Sequence, residues 1–307
     1  MRSLHTRTPL LHSFPLSRRL GVPVYLKLEA LQPTGSFKLR GVGRLCVEAA
    51  ERGVNHFVSS SGGNAGLAAA HAAEVLGKRA TVFVPTSTGE LTQQRLRSLG
   101  AEVIVIGAEW DDAHAEAVAF AKRHEALLVH PFDHPSLWAG HSTLVDELTE
   151  DLDSPPGCVV LSVGGGGLLT GVVHGLRRAG WNHVPVIAME TIGADSLACA
   201  LDAGALVELP AITSAAKTLG ARKVAAEAFS VARAHDVRSV RVSDAQASAA
   251  QHAFADDHRI LVELSCGAAL AAVYTPVVEV AFADSVVVVV CGGAGVTLDS
   301  LSNSAGA

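Results

Sequence analysis

The fold class of this chain follows from Cys158-Val159-Val160-Leu161-Ser162-Val163-Gly164-Gly165-Gly166-Gly167-Leu168-Leu169, where an apolar run meets four successive glycines. Residues 158–163 are typical of a strand buried on both faces, and residues 168–179 are expected to form a helix. This order indicates a βα unit on a parallel sheet. Four glycines remove every side chain from the turn, so successive backbone N–H groups at a helix N-terminus can bind a phosphate.

Alternating strands and helices extend in both directions from this stretch. Strands are expected at residues 24–28, 56–60, 81–85, 102–106, 126–130, 184–190, 237–242 and 286–291. Helical segments lie between them, which predicts an α/β protein with parallel sheets flanked by helices. We expect two domains: a small domain of residues 40–133, inserted into a large domain formed by residues 1–39 and 134–307.

Two serines mark expected helix starts. Ser87 with Glu90, and Ser243 with Gln246, have the three-residue spacing of a capping box. In such a box the serine side chain accepts from a backbone amide of the first helical turn.

Composition excludes several classes of protein. The chain has 307 residues, of which 49% are hydrophobic and 18% charged, and its formal net charge is −6. It is too apolar for a disordered protein, and an acidic chain without a basic run is not expected to bind nucleic acid. No apolar stretch predicts a membrane span, and the first residues lack the apolar core of a secretion signal. Five scattered cysteines predict reduced thiols and a cytoplasmic protein.

A lysine stands where a helix is expected to begin. Ser36-Phe37-Lys38 follows a strand and Gly35, and precedes a helix. Most lysines at such positions are simply solvated. The helix dipole does not favour a cation there, and apolar neighbours favour a neutral amine that can form a Schiff base with an aldehyde. Together with the phosphate-binding turn expected at Gly164–Gly167, this amine suggests a phosphorylated aldehyde cofactor, pyridoxal phosphate.

The segment Ser59-Ser60-Ser61-Gly62-Gly63-Asn64 also lies between a strand and a helix. One interpretation is a polar helix cap, with Asn64 as the N-cap residue. The other is a turn whose hydroxyl and N–H groups bind a substrate carboxylate, while the Asn64 amide reaches a polar ring substituent of the cofactor. Both interpretations can hold at once.

Two further residues have a structural and a functional interpretation. Cys291, in Cys291-Gly292-Gly293, ends the most apolar strand; it is either an inert core residue or a hydrogen-bond partner of a pyridine nitrogen. Glu190 ends another apolar strand and is either solvated or a ligand of a hard cation together with backbone carbonyls. The fourteen histidines show no spacing typical of a transition-metal site.

These motifs together resemble the fold-type II pyridoxal-phosphate enzymes, whose fold is tryptophan synthase β-like. The resemblance is carried by Ser36–Lys38, Ser61–Asn64, Gly164–Gly167 and Cys291–Gly293, and it is closest to the L-serine dehydratase and L-threonine deaminase group. It extends over most of the chain and includes Pro131-Phe132-Asp133. One departure is Gly62, which stands where the animal liver enzymes carry alanine.

The resemblance implies roles for individual residues. Lys38 would hold the cofactor and then remove the substrate Cα proton, and Phe37 would lie against the pyridine ring. Ser61, Gly62 and Gly63 would bind the substrate carboxylate, and Asn64 would bind both the substrate and the ring hydroxyl. Gly164, Gly165, Gly166 and Gly167 would bind the phosphate, and Cys291 would meet the ring nitrogen. A monovalent cation such as K⁺ is expected at Glu190 and the carbonyls near Gly164, Ala194, Leu219 and Ala221.

The resulting functional hypothesis is a pyridoxal-phosphate-dependent dehydratase. It would convert L-serine to pyruvate and ammonia, and L-threonine to 2-oxobutanoate and ammonia. The alternatives are a serine racemase, which needs a second base on the opposite face of the ring, and a catalytically quiet cofactor-binding protein. The resemblance also implies a homodimer. The serine-to-threonine preference does not follow from the sequence.

Overall fold

The computed structural model describes residues 2–275 and 284–304, which form two compact units. The small unit contains the described residues up to Thr6 together with Gln32–Gly140. The large unit contains Arg7–Leu31 together with the described residues from His141 onward. The described chain therefore passes from the small unit into the large one at Arg7, back into the small one at Gln32, and into the large one again at His141.

The described residues form ten strands and thirteen α-helices. The strands are β1 (Leu10–His12), β2 (Val24–Lys27), β3 (His56–Ser59), β4 (Arg79–Val84), β5 (Glu102–Val105), β6 (Leu127–Leu128), β7 (Cys158–Ser162), β8 (Val186–Thr191), β9 (Val237–Val242) and β10 (Val286–Val289). The helices are α1 (Phe14–Leu20), α2 (Lys38–Glu51), α3 (Asn64–Leu76), α4 (Glu90–Ser98), α5 (Trp110–Arg123), α6 (Pro135–His141), α7 (Thr143–Asp151), α8 (Gly167–Arg178), α9 (Ser196–Ala203), α10 (Ala226–Ala234), α11 (Asp244–His258), α12 (Leu264–Tyr274) and α13 (Leu298–Ser304). Short 3₁₀ helices lie at Glu29–Leu31 and Lys217–Leu219.

The small unit has a four-stranded parallel sheet in the order β5-β4-β3-β6. Val58, in the centre of β3, pairs with Thr81 on one side and Leu128 on the other. Its side chain belongs to a buried cluster with Phe83 of β4 and the small side chains of Ala113, Ala117 and Ala121. Those alanines recur every four residues along α5, so the helix packs closely on the sheet.

The large unit has a six-stranded sheet in the order β1-β2-β10-β7-β8-β9. All neighbouring strands are parallel except β1, which is antiparallel to β2. Every residue of the central strands β10 and β7 is buried, as expected for strands covered on both faces. The carboxyl ends of β10, β7 and β8 therefore lie side by side at one edge of this sheet.

These sheets confirm the predicted α/β fold with parallel sheets. The main segment of the small unit, Gln32–Gly140, extends beyond both ends of the expected domain of residues 40–133. The expected domain boundaries stay a prediction. A physical reason is visible at Gly140 in α6: a Cβ atom there would lie 2.3 Å from the carbonyl oxygen of Arg40 in α2. This close packing attaches α6 to the same unit as the start of α2.

One of the two predicted capping boxes is confirmed. Ser243 accepts from the amide of Gln246, and the Gln246 side chain accepts from the amide of Ser243. The box at Ser87 is wrong, because Gly89 is the N-cap residue of α4 and no side chain caps that helix. No helix within residues 2–275 and 284–304 is both long and apolar enough to cross a bilayer.

A buried ion pair joins β2 to α7 in the large unit. The side chain of Lys27 is completely buried, and its Nζ donates to Glu147 Oε2 at 2.7 Å and to the carbonyl of Thr8 at 2.7 Å. A second carboxylate, that of Asp151, lies 3.6 Å from the same atom. Removing one partner of such a pair leaves a charge without full compensation in the interior.

We therefore predict that Glu147→Ala lowers the free energy of unfolding by about 3 kcal/mol. Denaturant titration followed by circular dichroism measures this change. The matched control is Glu208→Ala, which removes an exposed partner of Arg222 and should cost less than about 1 kcal/mol. Equal losses in the two variants would contradict a stabilising role for the buried pair.

Candidate active site

Lys38 is the first residue of α2, and no side chain caps that helix end. The chain reaches it through Gly35, whose φ of 72° lies in the left-handed region, and through Phe37, which already has helical angles at the N-cap position. A helix N-terminus does not stabilise a cation. The amine is thus placed where the local dipole opposes its charged form.

The Lys38 amine lies at the carboxyl edge of the small sheet. Its Nζ donates to the carbonyl of Pro131 at 2.6 Å and is 5.0 Å from the centre of the Phe37 ring. Pro131 follows β6 closely, and the amide of Val129 continues the pairing with β3 by donating to Val58 at 2.7 Å. The Lys38 amine is therefore held beside the strand whose end carries the serine-rich loop.

A histidine that the sequence analysis did not select lies near this amine. His130 Nδ1 accepts from the amides of Phe132 at 3.3 Å and Asp133 at 2.8 Å. Burial lowers the pKa of His130; the nearby Asp133 carboxylate opposes this, and the positive charge of Lys38 adds to it. A neutral imidazole thus accompanies the Lys38 amine.

The loop between β3 and α3, residues 60–63, is braced by its own serines. The amide of Ser61 donates to Ser59 Oγ at 3.2 Å, and the amide of Gly63 donates to Ser61 Oγ at 3.3 Å. A Cβ atom at Gly66 would lie 1.8 Å from the Ser61 carbonyl oxygen, so this approach requires glycine. The described residues offer no acceptor to the amide of Gly62, which is thus available to an anion.

Two details of this loop differ from the sequence-based expectations. Asn64 is not the N-cap residue of α3: Gly63 holds that position, without a side-chain hydrogen bond. Gly62 is confined, because a Cβ atom there would lie 3.1 Å from Val84 and 3.2 Å from Thr88. An alanine at position 62 therefore requires those side chains to move by a few tenths of an ångström.

The four glycines of the large unit form a turn without side chains between β7 and α8. Gly166 is the N-cap residue with φ 89°, and a Cβ atom on it would lie 2.2 Å from the Cβ of Ala228. A Cβ atom on Gly164 would lie 3.0 Å from the Cα of Leu219. No side chain caps α8, and the described residues offer no acceptor to the amides of Gly164–Gly167. The turn is therefore suited to an anion held by backbone N–H groups.

Cys291 lies just beyond the end of β10, the strand next to β7. It is 7% exposed, and its contact with Cys266 together with burial raises the pKa of the Cys291 thiol well above its ordinary value. The residue is therefore a neutral thiol, able to form one weak hydrogen bond to a ring nitrogen.

Glu190 is a fully buried carboxylate near the end of β8. Its oxygens accept from the amides of Leu197 at 2.9 Å and Ala198 at 2.8 Å, and from Ser239 Oγ at 3.3 Å. Burial nevertheless raises the pKa of Glu190 to about 7. All three of these partners are neutral, so a cation would find a carboxylate whose charge they only partly offset.

The other residues of the expected cation set lie in two groups. Gly164 packs on the Leu219 backbone, and the Leu219 carbonyl accepts from the amide of Ala221 at 2.7 Å. Ala194, near Glu190, forms a bridge with Thr191 at the end of β8. No cluster of three or more His, Cys, Asp or Glu side chains suited to a metal ion occurs in the part of the chain that the structure describes.

The expected site residues thus fall on the carboxyl edges of the two parallel sheets. The small unit carries Phe37, Lys38, Ser61, Gly62, Gly63 and Asn64. The large unit carries Gly164, Gly165, Gly166, Gly167, Glu190, Ala194, Leu219, Ala221 and Cys291. In α/β proteins this edge is where ligands bind.

Comparisons with known proteins agree with this arrangement. The chain is 51% identical to a Bos taurus protein named L-serine dehydratase/L-threonine deaminase, over 98% of this chain and 94% of that protein. It is 52% identical to a Homo sapiens protein named serine dehydratase-like, over 94% of this chain and 90% of that protein. A crystal structure of a fungal L-serine ammonia-lyase from Rhizomucor miehei superposes with a TM-score of 0.95 at 40% identity, covering 99% of this chain and 98% of that chain.

These likenesses confirm the expected fold-type II architecture. Residues 1–292 match the profile of the family described as pyridoxal-phosphate dependent enzyme. The chain therefore belongs to the family of pyridoxal-phosphate dependent enzymes.

Proposed function

We propose that this chain is an ammonia-lyase that converts L-serine to pyruvate and ammonia, and L-threonine to 2-oxobutanoate and ammonia. The observation that carries the proposal is the Lys38 amine, held at 2.6 Å on the Pro131 carbonyl at the edge of a parallel sheet. The bovine relative is named L-serine dehydratase/L-threonine deaminase and the fungal one L-serine ammonia-lyase, which supports the same substrate class.

Two features of the chain fit pyridoxal phosphate. The amides of Gly164–Gly167 have no acceptor among the described residues, and the turn excludes side chains, since a Cβ atom at Gly166 would lie 2.2 Å from the Cβ of Ala228. The Ser36 hydroxyl, two residues before Lys38, is 1% exposed and has no hydrogen-bond partner in the described residues. Buried polar groups are rarely left unpaired, so a polar atom of a ligand beside Lys38 would satisfy it.

The cofactor, when bound, supplies an electron-withdrawing ring that stabilises negative charge at the substrate Cα. Lys38 then takes the Cα proton as a neutral amine, with the Pro131 carbonyl fixing the direction of Nζ. The loop of Ser61, Gly62 and Gly63 binds the substrate carboxylate, and the Gly62 amide is the loop amide that has no acceptor among the described residues.

Three other side chains orient the cofactor ring in this proposal. Phe37 would lie against one face of the ring, and Asn64 would bind the ring hydroxyl as well as the substrate. Cys291 would meet the ring nitrogen as a neutral thiol, which would not hold that nitrogen protonated as a carboxylate would. The weaker electron withdrawal suits loss of the β-hydroxyl over prolonged carbanion chemistry.

The racemase alternative is less well supported by the loop geometry. A second base at Ser61 would need a group that activates its hydroxyl. Ser61 Oγ instead accepts from the amide of Gly63, and no base contacts it in the part of the chain described by the structure. Assaying D-serine formation beside pyruvate tests this alternative directly.

The proposed function is tested with the purified protein and L-serine. We expect visible absorbance at about 410 nm from the cofactor attached to an amine. We also expect release of pyruvate and ammonia in equal amounts. A colourless protein that cannot be reconstituted would contradict the cofactor assignment. Absorbance without products would favour the racemase or the catalytically quiet cofactor-binding protein.

We predict that Lys38→Ala abolishes turnover, by at least about a thousandfold, because it removes both the attachment point and the base. The absorbance band of the attached cofactor should be lost in the same variant. Lys78→Ala is the matched control, since Lys78 is an exposed lysine of the small unit that bonds Asn55. A Lys38→Ala variant with near-normal turnover would refute the role of this amine.

We predict that Gly166→Ala loses bound cofactor, because the new Cβ would lie 2.2 Å from Ala228 and displace the turn. Equilibrium dialysis against pyridoxal phosphate should show at least about tenfold weaker binding. The control is Gly180→Ala, since Gly180 has a similar φ of 76° but an added Cβ atom there would have no neighbour within 4 Å. Equal affinity in the two variants would contradict the phosphate role of the turn.

We also propose a monovalent cation site at Glu190, with the carbonyls near Gly164, Ala194, Leu219 and Ala221. KCl should raise activity and melting temperature above the values in tetramethylammonium chloride, and Glu190→Gln should remove that difference. The control Glu208→Gln changes an exposed carboxylate and should retain it. A K⁺ effect that persists in Glu190→Gln would contradict the site.

Two broader proposals accompany the function. A homodimer rests on the family resemblance. A cytoplasmic location rests on the five cysteines, all of which are free thiols in the structure.

A further inference from the structure

A histidine and a tryptophan of α5 lie beside the serine-rich loop of the small unit. Trp110 is the first residue of α5, and His114 follows one turn later on the same face. Their rings are stacked, with centroids 4.6 Å apart and planes inclined by 14°. His114 Nδ1 lies 2.9 Å from Ser60 Oγ, within hydrogen-bond distance.

Ser60 connects this pair to the candidate carboxylate-binding loop. It is 2% exposed and directly precedes Ser61. The other side-chain hydrogen bonds of residues 60–63 are internal to the segment from Ser59 to Gly63. Among the described residues, the contact with His114 is thus the one side-chain hydrogen bond that ties residues 60–63 to another element.

Burial and helix capping indicate that α5 supports the loop, and not the reverse. Trp110 is 47% exposed and begins a helix that carries a complete capping box, so the helix end is well defined. Ser60 Oγ is enclosed and would be left without a partner if the imidazole were removed. A buried hydroxyl without a partner costs free energy, so the loop would rearrange to regain one.

We propose that His114, held in place by Trp110, is a positioning residue that fixes the Ser61–Asn64 loop for the substrate carboxylate through its hydrogen bond to Ser60. The inference rests on the proposed function, since it takes that loop as the carboxylate site. His114 does not touch the reacting atoms and transfers no proton in this account. Its effect falls on substrate binding, with little effect on cofactor attachment.

Four variants test the proposal. His114→Phe keeps an aromatic ring against Trp110 and removes the hydrogen bond, and Ser60→Ala removes the same bond from the other side. His114→Asn restores a polar atom near the position of Nδ1. His124→Phe is the matched control, because His124 is an exposed residue at the other end of α5 whose ring packs on Phe120.

We expect His114→Phe and Ser60→Ala to raise the KM for L-serine by about tenfold while kcat changes by less than about threefold. His114→Asn should recover part of the loss, and the double variant should be no worse than His114→Phe alone. Cofactor absorbance should stay unchanged in each. Amide hydrogen exchange over residues 59–66 should become faster in both single variants and stay unchanged in His124→Phe.

Wild-type KM and wild-type exchange in His114→Phe and Ser60→Ala would overturn the inference. Additive losses in the double variant would overturn it as well, since the two residues would then act independently. If His114→Phe fails to fold, Ser60→Ala and His114→Asn give the same comparison. If the wild-type protein releases no ammonia from L-serine, the proposed function fails, and hydrogen exchange still decides whether His114 holds the loop.

Discussion

The structure depends on one constraint: a central parallel strand must turn into a helix where the backbone has no room for side chains. In the large unit this happens between β7 and α8, where a Cβ atom at Gly166 would meet Ala228 at 2.2 Å. In the small unit the loop between β3 and α3 passes so close to the first turn of α3 that a Cβ atom at Gly66 would lie 1.8 Å from the Ser61 carbonyl oxygen. Each turn leaves backbone amides without an acceptor among the described residues, those of Gly164–Gly167 and that of Gly62, next to a helix N-terminus, and such amides can bind an anion.

The positions of Lys38, Glu190 and Cys291 follow from the parallel arrangement of the strands. Because parallel strands end at a common edge, Cys291 and Glu190 lie at the ends of strands that flank β7, and Lys38 reaches a carbonyl just beyond β6. Burial then sets the state of two of these groups: it helps keep the thiol of Cys291 protonated and raises the pKa of Glu190 to about 7. The edge of the small sheet thus carries the Lys38 amine, and the edge of the large sheet carries a protonated thiol and a buried carboxyl group.

Local patterns in the sequence predict much of this. The valine runs and the glycine quartet predict the strands and a turn without side chains, because strand burial and the absence of Cβ atoms are properties of a few neighbouring residues. Contacts between distant residues could not be predicted. His114 lies 54 positions from Ser60, and Lys38 lies 93 positions from Pro131. The predicted capping box at Ser87 is wrong for a local reason. The spacing of Ser87 and Glu90 fits a cap, but Gly89 takes the N-cap position. The spacing of Trp110 and His114 could have predicted their stacked pair, since residues four apart share a helix face.

The most direct test of the account is to locate the cofactor on the chain. Treating the purified protein with sodium borohydride makes the link between an amine and a bound aldehyde permanent, and peptide mass spectrometry then identifies the modified residue. The account predicts one pyridoxal phosphate group per chain, attached to Lys38 and removed when L-serine is added before the reductant. Modification at another lysine, or none in a protein that retains the cofactor, would contradict it.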